Sequence, residues 1–499
     1  MYWKRGAGMA KGKQKHKRFT KRQKRIIWLA LLIFLLIYIG VILYHTYKPL
    51  PEGVNYEGDL HWTDDVELFT DLSYSKDRKQ ENMKHELAIF DEVYSMIDEA
   101  EEFIVLDFFL MDHYSDEDLD FPKIAETMTE KLVDKKNARP DMPIVFITDP
   151  INTGYGSYES KWFGKLKDAG VEVVITDLKP LRDSMPLYSG LYRTLFRWGD
   201  IGGKGWIPNA MSSNAPKFRL ASYVELLNVK SNHRKMIATE KAGLVTSSNP
   251  HDASGFHGNV ALKVSGPVIN DLVEAEEAVL NYTAGKTGRT LPRIEAEDPE
   301  DGEYAVQYVT EKKIKDVLMD ELASSQKGDR IRMGMFFIAE PDVVKEVIEA
   351  AKRGVEVKLI LDPNENSFGS QKSGLPNRPV VQKLVEDSDG AIEVRWYNTV
   401  VGQYHTKLVM IERDGNMYVL NGSANLTERT LDNYNLENDL FVIAPADSEL
   451  AGELDNYFER LWNNEDALFT LDMEEYQNEF TRPQRIIYAL QEWLKLTSY

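Results

Sequence analysis

The hydrophobic pattern of the chain changes character after its first 44 residues. Residues 26–44 are 19 consecutive uncharged and mostly apolar residues, whereas apolar residues beyond them come in short separate runs. These runs are rich in Val, Ile and Phe, as buried strands are. Stretches with apolar residues three and four positions apart lie between them, which is the spacing of a helix face. The pattern therefore predicts one membrane-length helix followed by an α/β fold.

The strand and helix pattern occurs twice. In the first half an apolar run at residues 103–110 precedes a second run at 144–150 that ends in Asp-Pro. In the second half the runs at residues 331–338 and 355–363 repeat this order. Such a duplication predicts two pseudo-symmetric lobes with a site between them. We expect each lobe to be a mostly parallel or mixed sheet flanked by helices.

Each half also carries one copy of a motif that reads His-x-Lys-x4-acid. The residues concerned are His233, Lys235 and Glu240 in the first half and His405, Lys407 and Glu412 in the second. On an extended strand residues i and i+2 point to the same face, so each His and its Lys project into one site. An imidazole beside a fixed cation suits a phosphate whose phosphorus is to be attacked.

A small polar run follows each motif. It contains Ser248 and Asn249 in the first half and Ser423 and Asn425 in the second. Hydroxyl and amide groups there can donate hydrogen bonds to the oxygens of a phosphate. The run has the pattern Gly-Ser-x-Asn in the second half, whereas Pro250 stands where we expect the Asn of the first half.

The paired motif resembles the HKD signature of the phospholipase D superfamily, and the resemblance covers roughly residues 86–465. It implies that one His forms a covalent phosphohistidine while the other transfers a proton to and from the alcohols. Lys235 and Lys407 would then neutralise the phosphate oxygens, so that neither a metal nor a cofactor is needed. The superfamily also orients a histidine with a carboxylate. Glu437 supplies it in the second half, but residues 258–261 of the first contain no acid.

The acid of each motif departs from the superfamily pattern. Glu240 and Glu412 stand where an Asp is usual. The resemblance implies that this acid is structural and is tied to backbone or basic groups. We therefore expect the longer carboxylate to be tolerated.

The first half is longer because it carries an insertion over residues 179–222. Residues 178–222 contain seven Lys and Arg against two Asp, with Tyr, Trp and Leu interleaved. This mixture suits an interfacial helix on anionic headgroups. It equally suits a segment that packs on the lobe and covers the cleft, and the sequence leaves both interpretations open.

The N-terminal segment predicts an orientation in a membrane. Residues 1–25 hold 11 Lys or Arg and no acid, and the apolar residues 26–44 are long enough to span a bilayer. By the positive-inside rule the tail stays in the cytoplasm and the catalytic part lies outside a cell membrane. A cleaved signal peptide is the alternative, but residues 44–51 offer no small-x-small cleavage site.

The composition of the chain limits the classes of molecule that it is expected to bind. Beyond residue 25 the chain has 49 basic against 80 acidic residues, and it has no Cys. The acidic field disfavours nucleic acid, and the lack of Cys excludes disulfides and thiol chemistry. The favoured function is a membrane-anchored phospholipase D-type phosphodiesterase or phosphatidyltransferase, similar to cardiolipin synthase. Its substrate would be a phospholipid, and a monomer suffices for the site.

Two alternatives from other functional classes stay open. One is a surface nuclease of the same superfamily, and the other is a catalytically silent scaffold. The predicted parts of the chain are a basic tail (1–25), a transmembrane helix (26–44), a stalk (45–85), a first lobe (86–282), a linker (283–303), a second lobe (304–475) and a C-terminal amphipathic helix (476–499).

Overall fold

The computed structural model describes residues 20–476 apart from short gaps. The gaps are residues 117–118, 197–203, 210, 284, 286–287, 300–301, 368–369 and 372–373. Most of the basic tail and nearly all of the predicted C-terminal helix therefore lie outside the described residues.

Most helices of the described residues flank two large sheets, and the first helix packs beside the fifth. They are α1 (Lys21–Tyr47), α2 (Ile89–Glu99), α3 (Ile124–Ala138), α4 (Lys161–Asp168), α5 (Pro186–Leu191), α6 (Leu220–Leu226), α7 (Val268–Thr283), α8 (Lys312–Ser324), α9 (Pro341–Arg353), α10 (Asn377–Asp387), α11 (Glu428–Leu431) and α12 (Glu449–Trp462). The strands are β1 (His61–Thr63), β2 (Val66–Tyr74), β3 (Lys84–Glu86), β4 (Ile104–Phe108), β5 (Ile144–Thr148), β6 (Glu172–Ile175), β7 (Lys235–Thr239), β8 (Gly243–Thr246), β9 (Asn259–Val264), β10 (Tyr304–Thr310), β11 (Arg330–Met335), β12 (Glu356–Leu361), β13 (Asn366–Ser367), β14 (Ser370–Gln371), β15 (Ile392–Tyr397), β16 (Lys407–Arg413), β17 (Asn416–Gly422), β18 (Asn438–Pro445) and β19 (Thr470–Asp472).

The two large sheets share one strand order. The first is β3-β2-β9-β8-β7-β4-β5-β6, and the second is β1-β10-β18-β17-β16-β11-β12-β15-β19. The run from β2 to β6 therefore matches the run from β10 to β15 strand for strand. In each lobe the central strand, β4 or β11, pairs parallel with the next strand and antiparallel with the strand that begins at the motif lysine. The predicted mixed α/β fold with two pseudo-symmetric lobes is confirmed.

Each sheet has one face against helices and one face in a core that the lobes share. α2, α3 and α4 pack on the first sheet, and α8, α9 and α10 pack on the second. The shared core contains Val260 and Leu262 of β9 together with Leu408, Leu440 and Val442 of the second sheet. Burial on both faces explains why the central strands are continuously apolar in the sequence.

Three strands, β1, β2 and β3, lie within residues 61–86 and belong to the two large sheets. The sequence instead predicts a stalk over residues 45–85. β1 pairs with β10 at the edge of the second sheet, while β2 pairs with β9 in the first. The frequent acids of this segment hid these strands, because Glu67 and similar residues face solvent while Leu72 and Tyr74 are buried. The segment after α1 therefore joins both lobes.

The segment between the lobes has no regular secondary structure over residues 288–299. It nevertheless packs on the first lobe, since Arg289 pairs with Glu172 of β6 and Leu291 is buried. This part of the linker is therefore held against the protein and is not a free tether.

α1 is long and apolar enough to cross a membrane by its length and composition. It contains all of the predicted span of residues 26–44, and Thr20 caps its start by accepting the N–H of Gln23. Its residues up to Ile37 are exposed, whereas Tyr38 and Ile42 contact the protein.

The insertion packs against the end of α1. The N–H of Asp183 donates to the carbonyl of His45 at 3.0 Å, and Lys48 Nζ donates to the carbonyl of Lys179 at 2.9 Å. Arg193 is buried and forms an ion pair with Asp183 at 2.7 Å. Arg193 is therefore committed to the protein and does not face headgroups.

A fully buried ion network joins the lobes behind the first motif. Arg234 Nη1 lies 3.1 Å from Glu276 of α7, and its Nη2 lies 2.8 Å from Glu311, the residue before α8. Glu311 Oε1 also accepts the backbone N–H of Glu437 at 3.1 Å. Buried ions are stable only while they are paired, so this arginine fixes how the lobes meet.

We expect Arg234→Met to lower the free energy of unfolding by about 3–5 kcal/mol, because it leaves two buried carboxylates unpaired. Urea unfolding of the full chain in detergent, followed by Trp fluorescence, measures this. Adding Glu276→Gln and Glu311→Gln should recover much of the loss. Lys383→Met removes an exposed pair with Asp387 and should cost about 0.5 kcal/mol or less. A loss for Arg234→Met as small as that control would contradict the inferred role.

Candidate active site

Two buried carboxylates hold the loops that carry the histidines. Asp149 follows β5 and accepts the N–H of Asn232 at 2.8 Å, while Asp362 follows β12 and accepts the N–H of Tyr404 at 2.7 Å. Burial raises the pKa of both carboxyls to about 7. Each motif histidine therefore directly follows a residue whose backbone N–H is held by a carboxylate at the end of β5 or β12.

The same loops cross between the lobes. The N–H of His233 donates to the carbonyl of Leu436 at 2.8 Å, and the N–H of Gly258 donates to the carbonyl of Gln403 at 2.8 Å. The segment before each histidine thus pairs with a segment of the opposite lobe. Glu437, which follows Leu436, then faces the imidazole of His233, and Asn259, which follows Gly258, faces the imidazole of His405.

Each imidazole meets a polar side chain of the opposite lobe. His233 Nδ1 lies 2.8 Å from Glu437 Oε2, and His405 Nδ1 lies 3.2 Å from Asn259 Oδ1. Both partners offer an oxygen acceptor, which places the proton of a neutral imidazole on Nδ1 and leaves the lone pair on Nε2. The two contacts are equivalent in position, but the partner of His233 is an acid and the partner of His405 is a neutral amide.

A serine supports each partner in the same way. Ser423 Oγ donates to Glu437 Oε2 at 2.6 Å and accepts the N–H of Asn438. Ser247 Oγ donates to Asn259 Oδ1 at 3.0 Å and accepts the N–H of Val260. The other end of the Asn259 amide, Nδ2, donates to the carbonyl of Ser254 at 3.4 Å, so Oδ1 is the atom that faces Ser247 and His405.

The motif lysines are buried beside their histidines. Lys235 Nζ donates to the carbonyl of His233 at 2.6 Å, and Lys407 Nζ donates to the carbonyl of His405 at 2.7 Å. A single carbonyl satisfies only one of the three N–H groups of an ammonium. Each lysine therefore has donors left for an anion.

An aromatic ring lines each half of the site. The Phe109 ring lies 4.9 Å from the His233 ring and 5.4 Å from Lys235 Nζ. The Phe336 ring lies 5.0 Å from the His405 ring, and Lys407 Nζ lies 5.1 Å from it. The rings limit water around the cations, which strengthens their interaction with an anion.

Burial at the site disfavours positive charge on its four basic side chains. Burial, with smaller contributions from the two lysines, lowers the pKa of His233 to about 4, although Glu437 opposes the shift. Burial and the neighbouring cations also hold the pKa of His405 well below its usual value. Burial lowers the pKa of Lys235 to about 7 and that of Lys407 well below its usual value. An anion between the lysines would relieve this repulsion.

The two motif acids lie at the far ends of β7 and β16 from the lysines. Glu240 accepts the backbone N–H groups of Glu101 at 2.7 Å and Glu102 at 3.1 Å, and Glu412 forms an ion pair with Arg330. Both acids therefore tie the motif strand to the start of the adjacent central strand. Neither contacts the imidazoles through these bonds.

The polar run of the first half has a different register from the predicted one. The corresponding residues are Ser247 with Ser423, Ser248 with Ala424, and Asn249 with Asn425. The pattern Ser-x-Asn is thus present in both halves, and Pro250 follows it. Ser247, which the sequence did not single out, is the serine of the first half that supports a histidine partner.

Other groups of the site also escaped sequence reasoning. Asn259, Phe109 and Phe336 contact the imidazoles, yet none belongs to the motif. The internal repeat could have indicated the two phenylalanines, because Phe109 and Phe336 follow corresponding strands. An Asp-Pro pair after the next strand of each half confirms this alignment. Among the described residues no three His, Asp or Glu side chains come together as ligands of a metal ion would.

Comparison with protein families finds one match in the second lobe. The family described as "Cardiolipin synthase, PLD-like domain" matches residues 318–462. No curated protein matches the chain. The matched region contains His405, Lys407 and the partner acid Glu437, which are half of the site described above.

One solved structure resembles most of the chain in fold, and a second matches a smaller part of it. Phosphatidylserine synthase of Haemophilus influenzae Rd KW20 superposes with a TM-score of 0.57 and 11% identity, covering 92% of this chain and 98% of that one. Nuc of Salmonella typhimurium, a phospholipase D family member, has 23% identity and a TM-score of 0.27, and it covers 34% of this chain and 98% of its own. At 11% identity the likeness to the synthase concerns the fold alone.

We expect Asn259→Asp to raise the pKa of His405 by about one to two units, because a carboxylate favours the imidazolium where an amide does not. The reciprocal variant Glu437→Gln should lower the pKa of His233. Deuterium exchange at the histidine C2 position, measured by mass spectrometry across pH, resolves each histidine peptide. An unchanged titration of His405 in Asn259→Asp would mean that the two side chains do not interact in solution.

Proposed function

We propose that the chain is a member of the phospholipase D superfamily and that it is a membrane-anchored phosphodiesterase or phosphatidyltransferase, which acts on phospholipids through a phosphohistidine on His233. The observation that carries this proposal is the paired imidazole site. Two histidines from different lobes each have Nδ1 tied to an acceptor, and each lies close enough to both lysines for their charges to lower its pKa. Such a site suits one phosphodiester anion, with one imidazole on each side of its phosphorus.

Glu437 favours His233 as the nucleophile. When Nε2 attacks phosphorus, the imidazole becomes a positively charged phosphohistidine. A carboxylate 2.8 Å from Nδ1 stabilises that charge, whereas the neutral amide of Asn259 gives His405 no comparable support. In this step the phosphorus–oxygen bond to the leaving alcohol breaks, and His405 as imidazolium donates its Nε2 proton to the departing oxygen.

The second step reverses these roles. His405, now neutral, removes a proton from water or from an acceptor alcohol. The oxygen of that molecule attacks phosphorus, the phosphorus–nitrogen bond breaks, and His233 returns to its neutral form. Lys235 and Lys407 hold the charge that develops on the non-bridging oxygens in both steps. Ser423 and Ser247 act through the histidine partners and are positioning residues.

Low imidazole pKa values fit this sequence of events. A bound phosphodiester carries a negative charge between the two lysines, and a nearby anion raises the pKa of an imidazole. His405 can therefore become protonated when substrate is present and stay neutral when it is absent. His233 starts neutral, which a nucleophile requires.

The proposed site of action is the outer face of a cell membrane. α1 supplies one candidate span, and the basic residues before it favour a cytoplasmic N-terminus. The family name cardiolipin synthase suggests transfer of a phosphatidyl group to an alcohol, and water as acceptor gives hydrolysis. The insertion is proposed as the part of the ectodomain nearest the lipid.

The full chain in detergent or in vesicles should convert phospholipid when it is incubated with mixed phospholipids, with and without glycerol or phosphatidylglycerol. Lipid mass spectrometry reads the products. Phosphatidic acid would indicate hydrolysis, and a new phosphatidyl ester would indicate transfer. Cleavage of DNA or RNA without any lipid product would replace the proposal with the nuclease alternative, and absence of turnover on all of them would favour the scaffold.

His233→Ala and His405→Ala should each remove nearly all turnover, and the double variant should lose little more because the pair acts as one unit. If either single variant keeps more than about a tenth of the rate, a loss under roughly 1.4 kcal/mol, the shared site is wrong. After a rapid acid-free quench, the phosphatidyl group should be found on the His233 peptide. The same group on the His405 peptide instead would reverse the two roles.

The orientation can be tested with single cysteines, because the chain has none. A membrane-impermeant maleimide added to intact cells should label Glu386→Cys, an exposed position of the second lobe. It should label a cysteine placed at Lys11 only after permeabilisation. The opposite pattern would put the proposed site in the cytoplasm.

A further inference from the structure

The first turns of the insertion present a row of exposed leucines. Leu187, Leu191 and Leu195 are 44%, 38% and 51% exposed and stand four residues apart on α5 and the π-helical turn that follows it (Tyr192–Phe196). On the other side of the same segment, Ser189 and Arg193 are buried. A continuous exposed apolar row of this kind marks a surface that meets another apolar phase.

This row is continuous with α1. Tyr38 Oη donates to the carbonyl of Leu187 at 2.7 Å. At Gly190 the backbone of α5 comes so close to α1 that an added Cβ would lie 2.5 Å from Ile42 Cγ1. Small residues at such points allow helices to pack closely in membranes, where a larger side chain would separate them.

The contact point lies inside the apolar stretch. Tyr38 is six residues before Tyr44, where the apolar stretch ends, so the contact with Leu187 is about 9 Å short of that end at 1.5 Å per residue. The hydrocarbon core of a bilayer is about 30 Å thick, or about 15 Å for each leaflet. If α1 spans the membrane, a segment packed at this height is surrounded by lipid.

We propose that α5 and its π-helical turn are embedded in the outer leaflet, with the leucine row facing acyl chains and the opposite side facing the protein. This inference rests on the proposed membrane anchoring and adds a second element to it. The occupant of the leucine row is lipid, because the row continues the lipid-facing surface of α1.

The embedded segment is tied to the catalytic loop. Arg193 and Lys230 both pair with Asp183, at 2.7 Å and 3.2 Å, and all three are buried. Lys230 lies three residues before His233. The depth of α5 in the leaflet therefore limits how far the first histidine can lie from the acyl chains, because three residues span at most about 11 Å.

The test uses single-cysteine variants of the otherwise cysteine-free full chain, labelled with the fluorophore NBD and reconstituted into phosphatidylcholine–phosphatidylglycerol vesicles. Leu187→Cys and Leu191→Cys report on the leucine row. Leu32→Cys in α1 and Glu386→Cys on the second lobe are the references. Lipids with a spin label on the acyl chain quench from the membrane, and iodide quenches from water.

We expect acyl-chain quenching at Leu187→Cys and Leu191→Cys to be at least about fivefold stronger than at Glu386→Cys, with iodide showing the reverse order, as burial in hydrocarbon requires. If Leu32→Cys is quenched from the lipid but the leucine row is quenched by iodide, the inference is overturned while the anchoring stands. If Leu32→Cys is not quenched from the lipid, the anchoring fails and the inference with it. Protection of the row from both quenchers would mean that protein covers it, which also overturns the inference.

A matched pair of glycine variants tests the packing on α1. Gly190→Leu should push α5 away from Ile42 and reduce acyl-chain quenching at Leu191→Cys. Gly40→Leu adds the same bulk to α1 where no atom lies within 4 Å of an added Cβ, and it should leave the quenching unchanged. Equal quenching in both variants would show that the close approach at Gly190 does not hold α5 in the leaflet.

Discussion

The crossing of each catalytic loop to the opposite lobe is the constraint on which the site depends. His233 finds its acceptor on Glu437, and His405 finds its acceptor on Asn259, so neither lobe contains a complete imidazole pair with its supports. The backbone bonds between His233 and Leu436 and between Gly258 and Gln403 keep this exchange in register. The shared core and the buried Arg234 network maintain the distance between the sheets. Closure of the lobes and assembly of the site are therefore the same event.

Burial of like charges explains the electrostatic character of the site. Desolvation is the largest contribution for all four cations of the site, and neighbouring positive charges add to it for the two imidazoles and for Lys407. The pKa values of His233, His405 and both lysines fall as a result. In the proposed reaction a monoanionic phosphodiester supplies the negative charge that these cations require. Binding of the substrate would then favour protonation of His405, the proposed acid.

The two halves have kept the same framework and diverged in one charge. The serines, the phenylalanines and the Asp residues at the strand ends occupy corresponding positions, and so do both lysines. Glu437 and Asn259 differ, although each accepts a hydrogen bond from an equivalent serine hydroxyl, Ser423 or Ser247, and each lies at the start of an equivalent strand, β18 or β9. In the proposed reaction both lysines serve the same phosphate group, which matches the symmetric framework. The proposal gives the two histidines different tasks, and the difference between Glu437 and Asn259 matches that division.

Much of this could be predicted from the sequence. The repeated strand order follows from apolar runs whose spacing recurs, and His233, Lys235, His405 and Lys407 follow from a periodicity of two on a strand. The long apolar stretch of α1 is equally plain, since length and hydropathy are local properties. These features depend on neighbours along the chain, and the sequence records such neighbours directly.

The tertiary structure decided whatever depends on neighbours in space. Asn259 meets His405 although 146 residues separate them, and no local pattern marks an asparagine as the partner of an imidazole. The strands β1 to β3 were hidden among acids because their pairing partners lie far along the chain. The insertion looked equally suited to the membrane and to the protein. Only its packing against Tyr38 and Ile42 shows that one side faces the protein while the leucines face outward, because a helix contact is set by three-dimensional proximity and not by composition.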